Sequence, residues 1–156
     1  VRPVCLRKDR LGPGLPAADL MLSRHHRIAL TGAAVEMLFD EDRVFAAASM
    51  IADPVPDDWQ AQDCIEWFNI VLDTHAEVIA NGQPVESLFL GDMALARLSD
   101  RDRLAIAARF ARTADGRDWH ERTSLRTLKR HEAQVYLVVA GLGGQGQQTE
   151  PMAIAA

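Results

Sequence analysis

The sequence is short of aromatic residues, cysteines and long apolar runs, and each shortage removes a class of protein. Aromatic side chains make up 6% of the chain, so the core must be assembled from Leu, Ile, Val, Met and Ala rather than from large rings. Cys5 and Cys64 are the only cysteines. They supply neither a disulfide framework nor a Cys-x-x-Cys metal knuckle, and both read as free, partly buried thiols. No uninterrupted apolar stretch approaches the roughly 20 residues needed to cross a bilayer. Arg2, Arg7 and Lys8 are not followed by the apolar segment of a signal peptide. Concentrated positive charge is missing too. The formal net charge is −5, and bases alternate with acids, as in Asp100-Arg101-Asp102-Arg103. A phosphate-binding surface needs a basic stripe with aromatics interleaved. Neither nucleic acid nor a membrane is therefore expected as a partner.

What is present is a core of adequate size. The chain has 156 residues, 48% of them hydrophobic, which suits one domain, or a compact domain with an appendage. Residues 1–92 read as rich in strands and loops. A short strand is expected over 1–6, and Gly12-Pro13-Gly14-Leu15-Pro16 is turn-forming punctuation. Gly32 permits a positive φ, and a hairpin turn is expected there. Residues 35–39 and 44–51 are ambiguous: the alanines of 44–51 favour helix, while the shortness of both runs allows strand. Residues 66–73 are rich in β-branched and aromatic side chains and read as a strand. The apolar run 76–80 ends at Asn81-Gly82, a favoured tight-turn pair, which predicts an antiparallel hairpin.

From Asp92 the pattern changes. Ser99 with Asp102 three residues later resembles a capping box, and Leu104, Ala107, Ala108 and Phe110 follow at helical spacing. A second helix is expected to open with Asp118 as cap and Glu121 in its first turn. It would bury Leu125 and Leu128 and end near Lys129, Arg130 and His131. Residues 135–140 read as a final strand. The glycines of 141–148 lack Gly-Lys-Ser/Thr and have no strand–turn–helix setting, so 141–156 read as a flexible tail. The expected organisation is a core over 1–92, a helical extension with a final short strand over 93–140, and that tail.

Two segments carry candidate chemistry: Leu22-Ser23-Arg24-His25-His26-Arg27-Ile28-Ala29-Leu30, and residues 68–82 around Asp73-Thr74-His75. Imidazole donates, accepts or relays a proton near neutral pH. The spacing by itself is weak evidence. His25 and His26 are adjacent, so on a strand they would face opposite ways. Neither forms the i,i+4 helical zinc pair, and joining His75 and Cys5 to them has no local geometric support. No metal and no cofactor is expected. Taken alone, His26 reads first as an exposed or hydrogen-bonded structural histidine. Asp73 and Thr74 read as turn residues satisfying backbone groups, and Glu86 and Ser87 as the end of a strand.

Three stretches in order resemble the Hint (hedgehog/intein) domain family, especially its bacterial branch in larger, often secreted proteins. Residues 2–20 are similar to the family's run into its central histidine motif. Leu22-Ser23-Arg24-His25-His26-Arg27 resembles Ser-Pro-x-His-Arg, which places the family histidine at His26. Residues 69–75, continuing to Ala80-Asn81-Gly82-Gln83-Pro84-Val85-Glu86-Ser87, resemble a later block that ends Pro-x-Glu-Ser. The resemblance spans residues 1–92.

The resemblance implies a mostly β, partial Hint fold with a C-terminal helical extension, and self-catalysed peptide-bond rearrangement. In the family an N-terminal cysteine or serine attacks the preceding carbonyl to give a thioester or ester. His26 would protonate the departing nitrogen with Ser23 in support. His75 would assist proton transfer, with Asp73 or Thr74 polarising the site. Three departures qualify this. Arg24 replaces the motif proline, and Glu86-Ser87 replaces the His-Asn ending that splicing needs. The nucleophile and first strands are expected before Val1, since Cys5 is too close to the central motif to replace it.

The chain then reads as part of an autoprocessing domain, inactive in isolation, acting on its own polypeptide. An exposed sheet edge would suit a homo-oligomer or a complementing N-terminal segment. Two alternatives stay open: a non-enzymatic structural or protein-interaction module, and a small His-based hydrolase or metal-binding protein. Localisation is left open.

Overall fold

The computed structural model describes residues 2–55, 67–96, 98–109, 120 and 122–143. Two antiparallel sheets organise the first 92 residues. The smaller has the order β2-β1-β5, from β1 (Val4–Leu6), β2 (Leu20–Leu22) and β5 (Asp53–Pro54). The larger has the order β4-β3-β7-β6, from β3 (Arg27–Thr31), β4 (Arg43–Ala47), β6 (Glu77–Ala80) and β7 (Gln83–Glu86). The mostly β architecture expected from the sequence is the one observed.

Strands β3 and β4 are covered on both faces, which is why they carry short continuous apolar runs rather than alternating ones. Ile28, Leu30, Val44 and Ala46 enter the main hydrophobic cluster with Val4, Leu6, Leu22, Val35, Ala48 and Ile51. Phe45, between Val44 and Ala46, projects to the opposite face and is fully buried there. Its burial contributes roughly 1.5–3 kcal/mol. That second face is where the polar groups described below collect.

The Asn81-Gly82 hairpin forms as expected between β6 and β7. Both turn residues have positive φ, 49° at Asn81 and 81° at Gly82, as a two-residue turn matched to strand twist requires. The turn is docked by a 2.7 Å hydrogen bond from the Ala17 N–H to the Asn81 carbonyl.

Several local expectations are corrected. Gly32 does not turn a hairpin. With φ 97° it caps helix α1 (Ala33–Phe39), whose alanines favour helix, and α1 then bridges the adjacent strands β3 and β4. The ambiguous run 44–51 divides into the end of β4 and helix α2 (Ala48–Ile51). Residues 67–73 form no strand. The Ile70 carbonyl accepts one bond from the Leu88 N–H, at 2.7 Å, while Trp67, Phe68 and Ile70 keep much of their surface exposed. β-propensity there is not matched by a pairing partner or a face to bury.

Beyond α3 (Asp92–Leu95), helix α4 (Asp100–Arg109) has the expected cap. The Asp102 N–H donates to Ser99 Oγ at 3.1 Å, and the hydroxyl donates back to the Asp102 carboxylate at 2.7 Å. Leu104 is 71% exposed, so the anticipated apolar face is not packed at that position. The anticipated helix from Asp118 has Asp118 and Glu121 outside the described residues, and His120 and 122–129 are not helical. Lys129, Arg130 and His131 open a helix instead of closing one. The final strand expected over 135–140 is that helix, α5 (Arg130–Val139). The decisive periodicity is Ala133 with Tyr136 and Leu137, three and four residues apart, all packed on the main cluster.

Residues 126–142 pack against the sheets and the main hydrophobic cluster. Residues 126–128 run along the outer edge of β4. The Phe45 N–H donates to the Arg126 carbonyl, and the Leu128 N–H to the Phe45 carbonyl, both at 2.7 Å. An open strand edge is thereby closed. Leu128, Ala133 and Tyr136 enter the same core as β1 and β3. Leu142 still packs there, with its N–H donating to Leu137 at 2.8 Å. The tail expected over 141–156 lies outside the described residues from 144 onward. Among the described residues, no helix is long and apolar enough to cross a membrane.

Candidate functional site

The site begins at a tight turn between the two sheets. β2 ends at Leu22 and β3 begins at Arg27, with the His26 N–H donating to the Ser23 carbonyl at 3.1 Å. The start of α2 fixes this turn from below. Ala48 N–H donates to the His26 carbonyl at 2.7 Å, and Ser49 N–H to the Arg24 carbonyl at 3.0 Å. His25 consequently faces solvent while His26 is half-buried. The two histidines diverge as expected, but a turn separates them rather than strand alternation. Nε2 of His26 is buried without a hydrogen-bond partner among the described residues.

Antiparallel register supplies the next group. Ile28 pairs with Val85, which brings Arg27 beside Glu86 at the end of β7. The carboxylate accepts two hydrogen bonds from that one residue, from the Arg27 backbone N–H at 2.8 Å and its guanidinium at 2.7 Å. The ion pair is well screened from water, with the Glu86 side chain 10% exposed. Burial lowers the pKa of His26 and the Arg27 charge adds to this, while the Glu86 charge opposes both. His26 therefore rests as a neutral imidazole at pH 7.

His75 enters from the 67–76 segment and packs edge-on against Phe45 and Phe89, with centroids 5.7 and 5.3 Å away. Its Nδ1 accepts the Ser124 N–H at 2.9 Å, which leaves the ring proton on Nε2. Nε2 lies 3.4 Å from Glu86 Oε2, close enough for charge interaction but not aligned as a hydrogen bond. Burial, then His120 and Arg27, push the His75 pKa down to about 4. Protonating Nδ1 would also break the bond to Ser124.

His120 braces the same pocket wall. Its Nδ1 accepts the Leu90 N–H, and its Nε2–H donates to the Leu72 carbonyl, each at 3.0 Å. Ser87 ties the return of the chain. Its N–H donates to the Ala76 carbonyl at 2.8 Å, and its Oγ accepts the Ala76 N–H at 3.1 Å.

The structure thus brings Arg27, the residue directly after His26, and His75 to one carboxylate. Of the other sequence candidates, Ser23 shapes the turn through its carbonyl, whereas Asp73 and Thr74 are exposed at a bend before His75. No hydrogen bond links the Ser23, Asp73 or Thr74 side chains to the cluster among the described residues. Glu86 and His120 are the groups that sequence reasoning missed. Glu86 meets Arg27 across 59 positions, a distance no local motif encodes, and His120 stood within a segment read as the start of a helix. Among the described residues, no group of three or more His, Cys, Asp or Glu is placed to hold a metal ion. Cys5 lies on β1 in the other sheet, where burial foremost raises its thiol pKa. Cys64 lies outside the described residues.

A family model of the Hint domain matches residues 1–92, more than half of the chain, which therefore belongs to the Hint domain family. No curated protein and no solved structure matches it.

Proposed function

We propose that this chain forms part of an autoprocessing domain that rearranges or cleaves a peptide bond of its own polypeptide. Beyond family membership, one observation supports the reading most: the buried Nε2 of His26 has no hydrogen-bond partner among the described residues while its backbone is fixed on both sides. A buried imidazole nitrogen left without a partner is costly unless something else uses it.

The chemistry follows from a neutral resting state. A cysteine thiol or serine hydroxyl attacks the preceding carbonyl carbon, forming a C–S or C–O bond as the C–N bond breaks. His26 takes the proton released by the nucleophile and passes it to the departing nitrogen. Burial that disfavours imidazolium makes it a stronger acid at that moment. Positioning within one chain replaces a bimolecular encounter. Ser23 supports the His26 turn, and His75 with Asp73 or Thr74 would assist transfer at a later stage. Cys5 is poorly suited to attack, because it is buried in the other sheet with a raised pKa. Cys5 is therefore not assigned as the nucleophile.

The test is the intact mass of a longer parent chain beside its His26→Ala variant. Cleavage that disappears in the variant supports the proposal. A folded parent that stays uncut across pH and added thiol leaves a structural or interaction module instead.

A further inference from the structure

We propose that Glu86 is the positioning residue of this site, holding the His26 turn through Arg27 and placing a counter-charge beside the His26 imidazole. The inference rests on the autoprocessing reading for its consequence, and on geometry for its substance. One carboxylate accepts both the backbone N–H and the guanidinium of the residue directly after His26. It thereby fixes the start of β3 and the direction in which the His26 ring leaves the chain. Its Oε2 also faces His75 Nε2 at 3.4 Å, so the two histidines of the site share one anion.

Nothing in packing alone calls for this arrangement. A carboxylate at the end of a strand, 8% exposed, carries a desolvation cost that an apolar residue would avoid. The neighbouring charges are accounted for. Arg27 on β3 pairs with Glu86 directly, and His75, with the His120 ring packed against it, faces Glu86 from the opposite wall. Glu77, across from Glu86 in the β6–β7 ladder, is held by Arg43 at 2.8 Å. Glu86 is therefore the acidic group whose charge acts on His26, and it favours the imidazolium that burial and Arg27 oppose. In the proposed reaction this imidazolium is the transient proton carrier.

The experiment is an NMR titration of the histidine imidazoles in the 156-residue chain and in Glu86→Gln. The amide retains the shape and an oxygen for the Arg27 N–H but removes the charge. The His26 midpoint is expected to fall while the amide spectra of β3 and β7 persist. A folded variant with an unchanged His26 midpoint would overturn the proposal. Arg27→Gln, which leaves the carboxylate without its cation, is expected to raise the midpoint. It decides the question if Glu86→Gln does not fold, and no rise there contradicts the proposal. In a parent chain that cleaves, Glu86→Gln is expected to slow cleavage by roughly 100-fold and to move its acidic limb to lower pH. Glu86→Asp, which keeps the charge, is expected to recover part of the rate. A parent that never cleaves removes the autoprocessing reading, but the His26 titration still decides the role of Glu86.

Discussion

The two sheets differ in what they bury. The three-stranded sheet presents Val4, Cys5, Leu6 and Leu22 to the interior, an apolar set that needs no further partners. The four-stranded sheet buries comparable apolar side chains on one face, but its other face gathers Glu86, Ser87 and His75, with His120 close by. Buried polar groups are costly unless each is satisfied. Most of these are: Ser87 Oγ, for example, accepts the Ala76 N–H at 3.1 Å. The exceptions among the described residues are Nε2 of His26, Nε2 of His75, Oε1 of Gln83 and Oγ1 of Thr127, which have no hydrogen-bond partner. The contrast separates a sheet that holds the fold from one that holds a site.

Substitutions can break or sharpen this contrast. The largest effect on stability is expected at Phe45, which is fully buried and packs on His75. Phe45→Ala is expected to cost about 3–5 kcal/mol, measured by denaturant unfolding, and to disturb the His75 resonances as well. Leu6→Ala in the other sheet is expected to cost about 2–5 kcal/mol while leaving the His75 resonances unmoved. Equal disturbance of His75 by both variants would erase the distinction between the sheets.

An effect of intermediate size is expected with pH. The His75 pKa is about 4 in the folded chain against an ordinary 6.5, so between those values the unfolded chain binds more protons. Stability is therefore complete above about pH 6.5 and falls as pH drops towards about 4, by something of order 3 kcal/mol. His75→Gln should flatten that slope in unfolding midpoints recorded across the window. A slope that survives the substitution would move its origin elsewhere.

The smallest effect is expected at Cys5. Cys5→Ala should cost about 1 kcal/mol and leave cleavage of a parent chain unchanged, measured by intact mass. Loss of cleavage in a folded Cys5→Ala parent would bring the three-stranded sheet into the chemistry.

Legibility in the sequence follows the range over which each feature is specified. The Asn81-Gly82 hairpin and the Ser99 cap are written within a few residues, and both could be read directly. The His26 turn was found through its motif, although the partners that fix it, at Ala48 and Ser49, lie beyond any local pattern. Residues 135–139 are apolar and β-branched enough to suggest a strand, yet helical spacing of Ala133, Tyr136 and Leu137 against the core prevailed. Residues 67–73 erred in the same direction, since strand propensity is realised only where a pairing edge exists. Glu86 was the costliest omission. As the end of a strand it looked ordinary, and only the fold shows that it meets Arg27 and His75.

The most direct test of the central claim is capture of the reaction's intermediate. A longer parent chain, treated with hydroxylamine, would be analysed by intact mass beside its His26→Ala variant. The account predicts cleavage at the bond preceding the nucleophile, with a hydroxamate on the released fragment and little or none in the variant. Capture that proceeds equally well without the His26 imidazole, in a folded protein, would contradict it.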